Sequence, residues 1–170
     1  MATIIMSWSK CKIEIGKTEA QDAMASKLTD IGVINDKSTT LSTEDGESLE
    51  AKATGGVTVA LEEGEHRYII STRVKEMDFE TEAMLNGGKV EEDELAVKTN
   101  IISDNYSVKL TPKNIGAIGM KVRKTHVKMK PGSSEEEGHF MDLTFEVIPC
   151  EDGELYRKFR VKATDWSPAE

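Results

Sequence analysis

The stretch Ser38–Lys75 reads STTLSTEDGESLEAKATGGVTVALEEGEHRYIISTRVK, and its closing strand decides the fold. There Tyr68, Ile70, Thr72 and Val74 fall on one side, and Arg67, Ile69, Ser71, Arg73 and Lys75 on the other. This two-residue period marks a half-buried β-strand. Upstream, Ser38–Thr43 predicts a Thr-rich strand, and Glu44-Asp45-Gly46-Glu47 a hairpin turn centred on Asp-Gly. Leu49–Ala53 predicts the returning strand, Gly55-Gly56 a second turn, and Val57, Val59 and Leu61 the start of the next strand. Leu41, Leu49, Ala51 and Ala53 are the whole apolar content of residues 38–53, so that extended polar hairpin is expected to face water or a partner. Val57–Lys75, with an apolar face to bury, is expected to belong to the folded body.

Working outward, Met1–Ile15 predicts an N-terminal arm ending in a strand over Lys10–Ile15, where Cys11, Ile13 and Ile15 alternate with charged residues. Trp8 either caps the core or docks on a neighbouring subunit. Gly16–Leu28 is either a short helix capped by Thr18 or a polar connector. The best helix spans residues 78–86, with Asp78 as N-cap, Gly87 as left-handed C-cap, and Phe79, Ala83, Met84 and Leu85 as the apolar stripe. Tyr106, Val108 and Leu110 predict another strand. Along Ile118–Lys130 the apolar phase switches from Ile118, Met120 and Val122 to Val127 and Met129, which predicts a bulge or a crossing between sheets. Lys130–Gly138 is expected to be a loop, His139–Ile148 a strand, Glu151–Glu154 a hairpin turn, and Leu155–Ala163 the closing strand. The expectation is a single domain over 1–170, mainly β, an antiparallel sandwich or barrel with one short α-helix.

The 22 Lys+Arg against 31 Asp+Glu leave a net charge of −9, which argues against sequence-independent binding of a phosphate backbone. Cys11 and Cys150 are too few for a disulfide framework and lack zinc-site spacing. His66, His126 and His139 sit on separate elements without ligand spacing, and the acidic runs Glu91–Glu94 and Glu135–Glu137 lack the alternation of a calcium loop. No nucleophile elbow, phosphate loop or carboxylate pair in an apolar pocket is visible, so no catalytic residue, cofactor or metal is expected. The N-terminus lacks a signal-peptide pattern, and no window approaches a transmembrane span.

The segment Asp36–Gly56 joins a Ser-Thr-Thr-Leu strand, an acidic Gly turn, a Glu-Ala-Lys return and Gly-Gly. It resembles the major tail proteins of phages and prophages, the subunits of tail tubes, and the related tube of type VI secretion systems. The order of elements agrees along the whole chain, while only this segment matches as sequence. The resemblance implies a tail-tube-like β-fold with a flanking helix, hexameric rings stacking into a hollow tube, and DNA passing through without specific binding. It implies the chain itself as main partner, with the tape measure and tail terminator as others. The place implied is the virion tail, reached from the cytoplasm of the host bacterium, with no membrane partner. The assembly residues it implies are Trp8, Leu41, Thr43, Glu44, Asp45, Glu47 and Leu49. A non-catalytic β-sandwich binding module for carbohydrate or protein remains the alternative, as does a secretion-tube subunit.

Overall fold

A computed structural model describes residue 8, residues 10–98 and residues 104–166. Residues 1–7 of the expected N-terminal arm, and residues 167–170 of the tail, lie outside the described residues. The strands are β1 (Cys11–Lys17), β2 (Thr29–Asp30), β3 (Val33–Ile34), β4 (Thr40–Glu44), β5 (Ser48–Lys52), β6 (Thr58–Glu63) and β7 (Arg67–Glu76). After α1 (Phe79–Asn86) come β8 (Lys89–Glu91), β9 (Glu94–Ala96), β10 (Asn105–Pro112), β11 (Ile118–Ser134), β12 (Gly138–Val147) and β13 (Arg157–Arg160).

The alternation of β7 works as expected: Ile70, Thr72 and Val74 are buried while Ile69, Ser71 and Arg73 are partly open. β7 sits in a nine-stranded antiparallel sheet of order β2-β1-β10-β11-β12-β7-β3, with β4 also on β7 and β13 also on β11. Ile13 and Ile15 of β1 share one apolar cluster with Ile70 and Val74 of β7, from the other end of that order. The sheet therefore curls around its core, whose largest fully buried side chain is Phe145 of β12. The mainly β architecture with one helix is thus as the sequence predicts.

The phase switch in β11 is a bulge. Tyr106 faces Thr125 but Val108 faces Val122, so Arg123 and Lys124 together oppose Ser107. Met120 and Val122 are buried before it, Thr125 and Val127 after it, so the extra residue keeps one face of a long strand on the core. A bulge leaves a carbonyl without a ladder partner, and two hydroxyls take it up. Ser107 Oγ donates to Arg123 O at 2.9 Å and Thr18 Oγ1 donates to the same oxygen at 2.7 Å. Ser107 Oγ also accepts from Ala25 N at 3.0 Å, which ties the connector after β1 to the bulge.

The helix has the expected limits, with Asp78 as N-cap residue and Gly87 in the left-handed region (φ 70°). Its buried face differs from the expected stripe: Thr81, Glu82, Leu85 and Asn86 are buried, while Phe79 and Met84 are open. Tyr106 Oη donates to Met84 O at 2.9 Å, which fixes the last turn and turns Leu85 inward. Of the stretch Gly16–Leu28, Gly16 and Lys17 close β1 and residues 18–28 form the connector, with one 3₁₀ turn at Ala20–Asp22. The expected loop at Lys130–Gly138 is mostly strand, since Pro131 pairs with Met141 and Ser134 with Gly138, leaving Glu135–Glu137 as the turn. Glu151–Glu154 is a turn but not a hairpin, because the strands on either side both pair with β11.

Candidate functional site

The largest departure lies in Ser38–Lys75. The strands expected to form the hairpin 38–53 do not pair with each other: β4 pairs with β7, and β5 with β6. Thr40↔Ser71 through Glu44↔Arg67, then Ser48↔Glu63 through Ala51↔Ala60, run in one unbroken register. Residues Thr40–Ser71 are therefore one long hairpin, whose near half belongs to the sheet and whose far half projects from it. Asp-Gly at 45–46 is not the hairpin turn: the chain passes on from β4 to β5, the two ladders stop on either side of residues 45–47 and 64–66, and their pairing resumes in the same register. The turn is at the Gly55-Gly56 tip, where φ of 97° and 81° suits glycine, Gly56 N donates to Ala53 O (3.0 Å) and Ala53 N to Val57 O (2.8 Å).

Between the two halves is a waist at Asp45–Glu47 and Gly64–His66. Gly64 N donates to Glu47 O at 3.0 Å, and His66 Nδ1 lies 3.4 Å from Asp45 Oδ1. The backbones approach so closely that a Cβ on Gly46 would lie 2.4 Å from Gly64 C, and one on Gly64 2.8 Å from Glu47 O. Beyond the waist every residue of β5 and β6 is exposed. Leu49 is 71% exposed, Val57 65%, Val59 64% and Leu61 60%. From Asp45 to His66 the sequence carries six acids and one lysine, Lys52. Lys52 pairs with Glu50 at 3.4 Å, and Glu50 also accepts from Thr58 Oγ1.

The seven expected assembly residues divide. Leu41 packs against the core opposite Ile70, and so belongs to the fold. Trp8 packs against the core and its Nε1 donates to Ile118 O at 3.1 Å, which is the core-capping arrangement within its own chain. Thr43 and Glu44 are exposed at the ribbon's root, Glu44 lying 3.5 Å from Arg67 Nη1. Asp45 and Glu47 are exposed at the waist, and Leu49 is on the projecting half. The expected strand does follow, with Val59 and Leu61 in β6 and Val57 just before it, but its apolar face is not buried in the body: all three are exposed. Counting the register outward from Gly55-Gly56, instead of from Asp45-Gly46, places them beside β5.

A notch of about 530 Å³ opens at the root, between Glu65–Tyr68 of the ribbon side and Glu146–Pro149 at the end of β12. There Arg67 Nε donates to Glu146 Oε1 at 2.9 Å, and this hydrogen bond holds the Glu146 carboxyl below its usual range. Among the described residues no group of three or more His, Cys, Asp or Glu is placed to hold a metal ion, and no helix is long and apolar enough to cross a membrane. Neither protein-family models nor curated protein sequences match the chain.

Proposed function

We propose that the chain is a structural, non-enzymatic subunit that assembles with its own copies into the stacked rings of a phage or prophage tail tube, with the acidic surface letting DNA pass without sticking. The observation that supports this is the projecting ribbon. A two-stranded ribbon with no third strand and no packed face is marginally stable in water by itself. This one holds Leu49, Val57, Val59 and Leu61 open to solvent. Burying such side chains contributes about 1.5–3 kcal/mol each, so four offer about 6–12 kcal/mol as an upper figure. Association costs on the order of 4–15 kcal/mol, so one ribbon contact barely holds two copies. Several such contacts per subunit, as in a closed ring with neighbours above and below, hold many. A head-to-tail contact closes within a ring and stays open along a stack, which is the symmetry a tube needs. The net charge of −9 and the resemblance of Asp36–Gly56 to tail tube subunits fit the same role. Tape measure and tail terminator proteins would then be the partners at the tube's ends, and the virion tail its place.

The test is assembly of the purified chain. Light scattering against concentration, with negative-stain microscopy, should show rings or tubes. A chain that stays monomeric at millimolar concentration and binds glycans instead would make it a binding module.

A further inference from the structure

The fold contains a second edge that matches this ribbon, and it is the outer edge of β13. β10 occupies one edge of β11, so β12 and β13 both lie along the other, with Val147 opposite Thr125 and Arg157 opposite Lys121. β13 is thus in line with β12. In the same way β6 is in line with β7, because the register runs through the waist. β7 pairs with β12, so if the sheet simply ran on, β6 would pair with β13. It does not: β6 pairs only with β5 among the described residues, and β13 only with β11.

The unused edge has its own chemistry. Val161 N donates to Ala117 O at 3.0 Å, so by the alternation of an antiparallel ladder Lys158 and Arg160 turn their N–H and C=O groups away from β11. Lys158, Arg160 and Lys162 fall on one parity and all are exposed. Arg160 Nη1 donates to Gly116 O at 2.9 Å, while Lys158 and Lys162 make no ion pair among the described residues. The ribbon strand that would lie there carries Glu62, Glu63 and Glu65. An acidic strand and a basic strand, each with one edge unpaired among the described residues, sit in line with two strands that do pair.

We propose that the outer edge of β13 is the acceptor for the ribbon of a second copy, which adds β6 as an antiparallel strand where the copy's own β6 would have continued. The inference rests on the self-assembly reading and says where the ribbon lands. Within one copy the ribbon lies beyond the waist at Gly46 and Gly64, where the backbones approach closely, and every residue of β5 and β6 is exposed. Main-chain hydrogen bonds supply the attachment, and the opposite charges of strand and edge favour it; Glu62 and Glu63 fall on opposite faces of β6, so only one of them shares a face with Lys158, Arg160 and Lys162.

The test reverses the charges on each side in the full chain: Glu62→Lys with Glu63→Lys on the ribbon, and Lys158→Glu with Lys162→Glu on the edge. All four residues are exposed, so circular dichroism and thermal midpoint should match the wild type. Each double variant should need at least about tenfold more protein to assemble. An equal mixture of the two should recover wild-type onset, because each copy then finds a complementary neighbour. Three results would overturn the proposal. Neither reversal shifts the onset while the wild type assembles, in which case the tube reading stands and this acceptor falls. The mixture fails to recover while one chain with all four changes does, which means the ribbon folds onto its own β13. The wild type never assembles, and then both readings fall. If a reversed variant loses its fold, the Gln variants at the same four positions replace it, with a smaller shift in the same direction and no shift counting against the edge.

Discussion

The bulge of β11 makes a prediction whose size follows from the geometry. Ser107 Oγ accepts from Ala25 N at 3.0 Å and donates to Arg123 O at 2.9 Å, and the residue is fully buried. Ser107→Ala orphans the Ala25 N–H, but Arg123 O keeps the hydroxyl of Thr18 at 2.7 Å. A buried unsatisfied donor costs about 1–3 kcal/mol, so the single change should destabilise by that amount. Thr18→Val leaves Arg123 O bonded to Ser107, and should cost only the net worth of one hydrogen bond, about 0.5–1.5 kcal/mol. The double variant strips the bulge carbonyl of both hydroxyls. Its cost should therefore exceed the sum of the singles by about 1–2 kcal/mol, the penalty of one unpaired buried acceptor. Urea unfolding of the four proteins closes the cycle. Additivity within about 0.3 kcal/mol would show that the hydroxyls do not share this carbonyl, and would remove the explanation offered for how β11 keeps its face across the bulge.

Three further outcomes are expected. A Cβ on Gly119 would meet the Phe159 ring at 2.4 Å and Leu110 O at 2.9 Å, so Gly119→Ala should destabilise by about 1–3 kcal/mol, and Phe159→Leu in the same chain should return part of that in a thermal scan. The Glu146 carboxyl is held below its usual range, first by its hydrogen bond to Arg67, so its contribution is present at neutral pH and is lost as pH falls through the folded-state value; in acid titrations of stability below about pH 4.5, Glu146→Gln should flatten the slope, and an unchanged slope would contradict the pairing. Burial pushes the Cys11 thiol up to about 11, so its labelling by iodoacetamide at pH 8 should be slow in the native protein and fast in urea; fast native labelling would place the thiol in solvent.

Much of the fold was legible because β-periodicity is a local signal with a global cause. The alternation in Tyr68–Val74 and the phase switch between Val122 and Val127 both report which side chains face one core, and both appear in the structure as β7 and the β11 bulge. The helix end was legible from Gly87, whose left-handed backbone donates to Ala83 O; Asp78 marks the start without a side-chain capping hydrogen bond. The helix's buried face was not legible, because Tyr106, distant in sequence, sets the rotation through Met84 O. Asp45-Gly46 misled for a similar reason. Asp-Gly is a strong short-range hairpin signal, but here the returning chain pairs with β4 before it and β5 after it, so the chain goes straight through. Thus residues 43–49 lie on the expected ribbon with a different strand opposite, and Val57, Val59 and Leu61, expected to pack in the body, lie exposed beside them. Leu41 and Trp8 pack against the core, which for Trp8 is the first of the two expected alternatives.

Assembly depends on the projecting ribbon acting as an assembly device that is no part of the core. Excision of Ser48–Glu63 tests it most directly, with an Asn-Gly turn joining Glu47 to Gly64, whose backbones are already hydrogen-bonded at 3.0 Å. The measurement is sedimentation velocity of the wild type and the excised chain side by side, with unfolding midpoints for both. The account predicts large assemblies for the wild type, and a folded monomer with a nearly unchanged midpoint for the excised chain. An excised chain that still assembles, or one that no longer folds, would contradict it.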